Sequence, residues 1–348
     1  MRAYDPFARG PFPAGVRTLE LARGRSLPVE LWYPATEEYA GQDVAEATRD
    51  RYELVPGLPF AWQDAVRDAT ARRGRHPLVA FSHGYGGHRR QSTFLCTHLA
   101  SHGYVVAAVD HTGNTMLEVV QGVLTLRSGG TLPHPDTVLR EFVVLRPADV
   151  SFAIDHVLGM DGLVDADRIG MAGHSFGGWT TLTTTARDRR IRAAVPLAPA
   201  GGASPLPVDV LRESVDFRWD REVPTLYVVA ARDSLLPLAG MYELLERTPA
   251  AKRMVVLEDA DHLHFCDRVE ETHELFRTMP TDPLFEHIQK AIPPITELVP
   301  GERTHLAIRA LALAHLDAHL RGDEGAARLL AGDVRAALAE RDVAVRVV

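Results

Sequence analysis

The chain has 348 residues and a net charge of -8, with 46% hydrophobic and 24% charged residues, a balance that excludes a disordered chain and suits a globular protein with a full core. Its lysines and arginines are scattered among acids, which argues against a nucleic-acid partner. No apolar run long enough for a membrane span is present, so no integral membrane segment is expected.

In chain order, β-rich runs fall at Val16–Leu21, Leu27–Trp32, Leu78–Phe81, Tyr104–Val109, Arg168–Ala172, Ile191–Leu197, Thr225–Ala230 and Met254–Leu257. Helical patterns lie between them, which predicts βαβ units and a mostly parallel sheet of about eight strands flanked by helices. A helix is expected to begin near Arg146, with Pro147 in its first turn and Val150, Ile154 and Val157 on one face. Another is expected from about Thr304 to Leu320, stopped near Gly322. Four segments lack clean periodicity, roughly 35–76, 112–145, 200–222 and 265–303, and read as lid-like insertions in one α/β domain covering 1–348.

The opening Met1-Arg2-Ala3-Tyr4-Asp5-Pro6 lacks the apolar centre of a secretory signal, so a cytoplasmic location is expected. Cys96 and Cys266 have neither a CxxC partner nor metal-type spacing with histidine, and read as reduced structural thiols. Neither HExxH nor a paired-cysteine pattern frames the histidines, so no metal and no cofactor is expected. Nothing in the pattern speaks to oligomeric state.

The most informative stretch is Gly173-His174-Ser175-Phe176-Gly177-Gly178, a Gly-x-Ser-x-Gly elbow directly after a strand-like run. Ser175 is the candidate nucleophile, and the glycines leave room for a sharp strand-to-helix turn. A serine hydroxyl needs a base, and that base needs an orienting carboxylate. Asp233 follows the strand-like Thr225–Ala230 and is the chosen acid, with Asp209, Asp216 and Asp220 as reserves. His262 follows Met254–Leu257 and is the chosen base, with His264 and His111 as rivals. The loop Ser82-His83-Gly84-Tyr85-Gly86-Gly87 follows a strand and suits an oxyanion hole, in which Tyr85 and Phe176 supply backbone N–H groups and His83 orients the loop. His83, His174, Trp219 and Phe265 are candidates for substrate contact, and Trp62, Met116, Leu117, Phe217, Phe276 and Phe285 could line an acyl pocket.

With these motifs, with Leu27-Pro28-Val29-Glu30-Leu31-Trp32-Tyr33-Pro34, and with Ala100-Ser101-His102-Gly103-Tyr104-Val105-Val106 and Asp261-His262, the chain resembles the α/β-hydrolase superfamily. It is similar there to platelet-activating-factor acetylhydrolases, cutinase-like polyester hydrolases and dienelactone-hydrolase-like proteins. The resemblance implies an α/β-hydrolase fold and a serine esterase acting on a small-molecule or lipid-like ester through an acyl-enzyme. Acyl transfer or amide hydrolysis by the same residues, or a non-catalytic binding role, are the alternatives. Two departures bear on substrate. Pro196-Leu197-Ala198-Pro199-Ala200-Gly201-Gly202 holds no carboxylate where the acetylhydrolase branch carries its acid, which points to Asp233 as in cutinase-like enzymes. Ser175 stands where dienelactone hydrolases have cysteine.

Overall fold

The structure, a computed structural model, describes residues 4–54, 60–206, 209–281 and 286–348. Its strands are β1 (Ala14–Ala22), β2 (Ser26–Pro34), β3 (Asp50–Glu53), β4 (Phe60–Gln63), β5 (Val66–Arg67), β6 (His76–Ser82), β7 (Val105–Val109), β8 (Val164–His174), β9 (Ile191–Leu197), β10 (Thr225–Ala230), β11 (Lys252–Leu257) and β12 (Val345–Val347). The α-helices are α1 (Thr93–Ser101), α2 (Met116–Arg127), α3 (Pro135–Leu158), α4 (Phe176–Arg187), α5 (Asp209–Ser214), α6 (Leu238–Arg247), α7 (Val269–Thr278), α8 (Glu286–Ala291), α9 (Gly301–Leu316), α10 (Glu324–Ala331) and α11 (Val334–Ala339).

Ten strands form one sheet in the order β12-β11-β10-β9-β8-β6-β7-β2-β1-β5. The block β7-β6-β8-β9-β10-β11 is parallel, while β1, β2 and β12 join by antiparallel pairing. All eight runs expected from the sequence are strands of this sheet. The additional β5 and β12 are edge strands of 2 and 3 residues, too short to show a period, and β3–β4 is a separate hairpin inside the 35–76 insertion.

Side chains alternate across the sheet as the strand period requires. On β10, Leu226, Val228 and Ala230 join α1 and α9 in one buried layer, while Tyr227 and Val229 join α4 and α6 in the other. Helix α4 has weak intrinsic propensity, with two glycines and five threonines, so packing decides its form. The hydroxyls of Thr180, Thr181 and Thr185 donate to carbonyls four residues back at 2.8 to 2.9 Å, which lets them be buried. Among the described residues, no helix is long and apolar enough to cross a membrane.

Two helices bear on the expectations. Helix α3 starts at Pro135, and Pro147 lies inside it rather than in its first turn. Pro135 takes the first-turn position, and the missing N–H of Pro147 costs one bond that the packing of a 24-residue helix tolerates. Helix α9 runs on through a wide turn, Asp317–Arg321, to Gly322, whose φ of 66° ends it near the expected place.

The chain passes from β6 outward to β7 and then returns to β8 on the other side of β6. Strand order reverses there, and the carboxyl ends of β6 and β8 open the crevice where ligands bind in open α/β sheets. Near it, Glu30 is wholly buried on β2 and takes Arg67 at 2.8 Å, Arg89 at 3.2 Å and Arg90 at 3.0 Å, which anchors the segment after the β6 loop.

Candidate active site

Ser82 on β6 pairs with Gly173 on β8, so the loop 83–87 begins beside the elbow. Ser175 stands between β8 and α4 with φ 59° and ψ -118°, a backbone conformation that costs an L-residue roughly 1–3 kcal/mol and is held only by its surroundings. Those surroundings are explicit. The Ser175 N–H donates to Leu197 O at 2.9 Å, and its carbonyl accepts from Trp179 N at 3.1 Å and Ala200 N at 2.9 Å. A Cβ on Gly173 would lie 2.3 Å from Gly177 O, and one on Gly177 would lie 1.8 Å from Ser82 O. Only glycine fits at either place.

Asp233 follows β10 and His262 follows β11, two neighbouring parallel strands. His262 Nδ1 and Asp233 Oδ2 are 2.7 Å apart, and the other carboxylate oxygen accepts from Leu235 N at 2.9 Å and Leu236 N at 2.8 Å. With Nδ1–H donating to the carboxylate, the lone pair of the imidazole lies on Nε2. The ring packs against that of His174 at a tilt of 44°, centroids 4.5 Å apart, and so borders the residue before Ser175. Burial by itself pulls the imidazole down, but attraction to Asp233, the hydrogen bond to it and the charge of Asp261 outweigh this and raise it above the ordinary histidine value.

The rival residues are occupied elsewhere. His264 contacts Asp261 N at 3.0 Å and Val299 O at 2.9 Å. His111 is wholly buried between Ser82 Oγ at 2.9 Å and Asp149 Oδ2 at 2.9 Å. Asp216 pairs with Arg218, and Asp220 with Arg189, in the segment before β10. Asp209 opens the short α5.

Gly84 crosses close to Ser175: a Cβ built on it would be 3.4 Å from Ser175 Cβ. Tyr85 follows it and is half exposed. Phe176 is the first residue of α4, so its N–H is one of the unpaired donors of a helix start. The candidate substrate contacts divide. His83 is wholly buried, with Nδ1 2.7 Å from Gly84 O, and His174 is buried with Nδ1 3.0 Å from Gln91 Nε2. Phe265 is buried and stacks on His174, centroids 5.4 Å apart. Trp219 is not brought to this place. It packs against Phe217 and two buried layers, next to Asp220, which pairs with Arg189 ahead of β9, and its Nε1 is bonded to Asp216 O at 3.2 Å.

Among the apolar candidates, Met116 and Leu117 begin α2, whose Met116 N–H donates to Gly87 O at 2.8 Å beside the site loop. Trp62 is exposed on the β3–β4 hairpin beneath Arg49 and Arg51. Phe276 lies on α7, and Phe285 lies outside the described residues.

Three further polar residues frame the site, and only Asp261 falls in a motif. Gln91 accepts the Gly84 N–H through Oε1 at 2.9 Å while its amide nitrogen faces His174. Asp261 Oδ1 accepts from Ser234 N at 3.1 Å and His262 N at 2.6 Å, tying the acid loop to the base loop. Arg146, on α3, reaches the His83 and Gly84 carbonyls. The one available signal was Asp261, adjacent to the chosen histidine.

A strand–Ser–helix elbow beside a glycine loop, with an Asp–His pair on the following strands, defines an α/β-hydrolase. A solved structure described as a ferulic acid esterase from Streptomyces cinnamoneus superposes with a TM-score of 0.60 at 26% identity, covering 90% of this chain and 91% of that one. The family model described as platelet-activating factor acetylhydrolase, isoform II, matches residues 19–120, a stretch that holds the 82–87 loop. The bovine platelet-activating factor acetylhydrolase is 28% identical over 209 residues, 48% of this chain and 45% of that protein. A cutinase from Thermobifida alba is 26% identical over 275 residues, 77% of this chain and 73% of that protein. The match thus spans less than half the length of the bovine relative and about three quarters of the cutinase. The chain has the α/β-hydrolase fold and is similar to esterases of that fold, among them platelet-activating factor acetylhydrolases and cutinases.

Proposed function

We propose that the protein is a serine carboxylic-ester hydrolase in which Ser175 attacks the ester carbonyl and His262 takes its proton on Nε2. Asp233 holds the imidazole in the required tautomer and favours its cationic form during attack. The Tyr85 and Phe176 N–H groups receive the oxygen as it turns negative. The alcohol leaves with the proton carried by His262, and water, deprotonated by the same imidazole, releases the acid and restores Ser175.

The 2.7 Å Asp233–His262 contact, beside the elbow and on strands that follow it in order, carries this reading. It is supported by relatives named as an acetylhydrolase, a cutinase, a bis(hydroxyethyl) terephthalate hydrolase and a ferulic acid esterase. Their names share the ester and differ in both acyl and alcohol parts. A panel of p-nitrophenyl esters graded by acyl length, run with wild type and Ser175→Ala, is the test. Turnover by wild type with a loss of several orders of magnitude in a folded Ser175→Ala is expected, and retained turnover in that variant would remove Ser175 as nucleophile.

A further inference from the structure

Arg146 is wholly buried in the middle of α3. Guanidinium groups are rarely found so deep unless their donors are used; here Nη1 and Nη2 serve the site loop, while Nε is without a partner among the described residues. Nη1 donates to His83 O at 2.6 Å, and Nη2 donates to Gly84 O at 3.0 Å and to Asn114 Oδ1 at 2.6 Å. The same guanidinium lies over the Phe176 ring, 4.1 Å from its centroid.

The direction of the Gly84 carbonyl matters because a trans peptide is planar and its N–H points opposite to its C=O. The next N–H is that of Tyr85, so a carbonyl held on Arg146 turns the Tyr85 N–H away from Arg146. The carbonyl is held twice. His111 N donates to His83 Nε2 at 3.1 Å, which leaves the proton on Nδ1, and Nδ1 faces Gly84 O at 2.7 Å. The Gly84 N–H is occupied by Gln91 Oε1 at 2.9 Å and is not available to an oxyanion. Behind the loop, Ser82, His111 and Asp149 form a buried chain of hydrogen bonds that Arg25 closes through both Asp149 oxygens at 3.1 and 2.6 Å.

We propose that Arg146 is the positioning residue of the oxyanion hole, aiming the Tyr85 N–H through the Gly84 carbonyl and fixing the helix start that carries the Phe176 N–H through the ring it stacks on. The inference rests on ester hydrolysis at Ser175 as read above. Both donors of the hole then depend on one side chain that never touches substrate.

The test is steady-state kinetics on a short p-nitrophenyl ester and on the matching thionoester, whose sulfur makes poorer use of an oxyanion hole, with thermal melting of every variant. Absence of ester turnover by wild type would sink the proposed function and says nothing particular to Arg146. With wild-type turnover in hand, a folded Arg146→Met should lose about 100-fold in kcat with KM changed little, and its ester-to-thionoester rate ratio should fall. Arg146→Lys keeps the charge but cannot span both carbonyls or lie flat on the ring, so it should fall between the two. A folded Arg146→Met that keeps kcat within about threefold of wild type, or slows both substrates equally, overturns the proposal. If Arg146→Met does not fold, the same ratio in Arg146→Lys and Asn114→Ala decides, and a ratio unchanged in both overturns it.

Discussion

Gly177 approaches Ser82 so closely that its missing Cβ would stand 1.8 Å from the Ser82 carbonyl oxygen. The turn that presents Ser175 and the strand that leads into the loop around Gly84 are therefore packed backbone to backbone. Gly177→Ala cannot be absorbed by a side-chain rotation. It should cost about 3 kcal/mol or more, at the upper end for overpacking, seen as a lower denaturant midpoint. A midpoint equal to wild type would mean the two backbones are further apart.

Asp233→Asn keeps the shape of the acid but gives the imidazole a partner that favours the wrong tautomer. We expect kcat to fall by about 10³- to 10⁴-fold with little change in melting temperature, as for an orienting acid in a triad. A loss of about tenfold or less, measured on the best ester of the panel, would point to another orienting group.

The pH profile follows from His262. Burial lowers its basicity, but Asp233 and then Asp261 overcome this and place it above the ordinary histidine value. Since the base must be neutral to accept a proton, activity is lost as pH falls through that raised value, and the acid limb of kcat/KM should lie above pH 6.5. Asp261→Asn removes one of the charges that raise it, so the limb should move to lower pH. A limb that stays in place would remove Asp261 from the electrostatics of the base.

Glu30 sits unexposed among Arg67, Arg89 and Arg90. Glu30→Gln leaves three guanidinium groups facing one another without their shared anion, which should cost about 3–5 kcal/mol in equilibrium unfolding. An unfolding free energy within about 1 kcal/mol of wild type would show that Asp50 and Asp110 suffice to hold Arg67 and Arg89.

The parallel strands were legible because each holds a short apolar run with helices on both faces, and the order serine, acid, histidine named three residues that lie at the ends of β8, β10 and β11. The start of α3 was not, because Pro147 carries a first-turn signature and the true first-turn proline, Pro135, lies in a stretch without clean periodicity. Arg146 was invisible as a site residue, since a lone arginine in a helix reads as a solvated side chain. Gln91 has no local signature at all; its role exists only once β6 and β8 are side by side. Trp219 shows a different limit: apolar character marks a residue as buried, but not at which end of a sheet it is buried.

Besides the proposed triad, the chain holds a hydroxyl–imidazole–carboxylate series at Ser82, His111 and Asp149, with contacts of 2.9 Å throughout. Ser175 has a left-handed φ and partial access to solvent, whereas Ser82 is sealed within a regular strand. Distance alone would therefore report a reactive centre at Ser82. A fluorophosphonate offered to the folded protein should mark a single serine, and the unmarked one measures how much of nucleophilicity is geometry of approach rather than identity of neighbours.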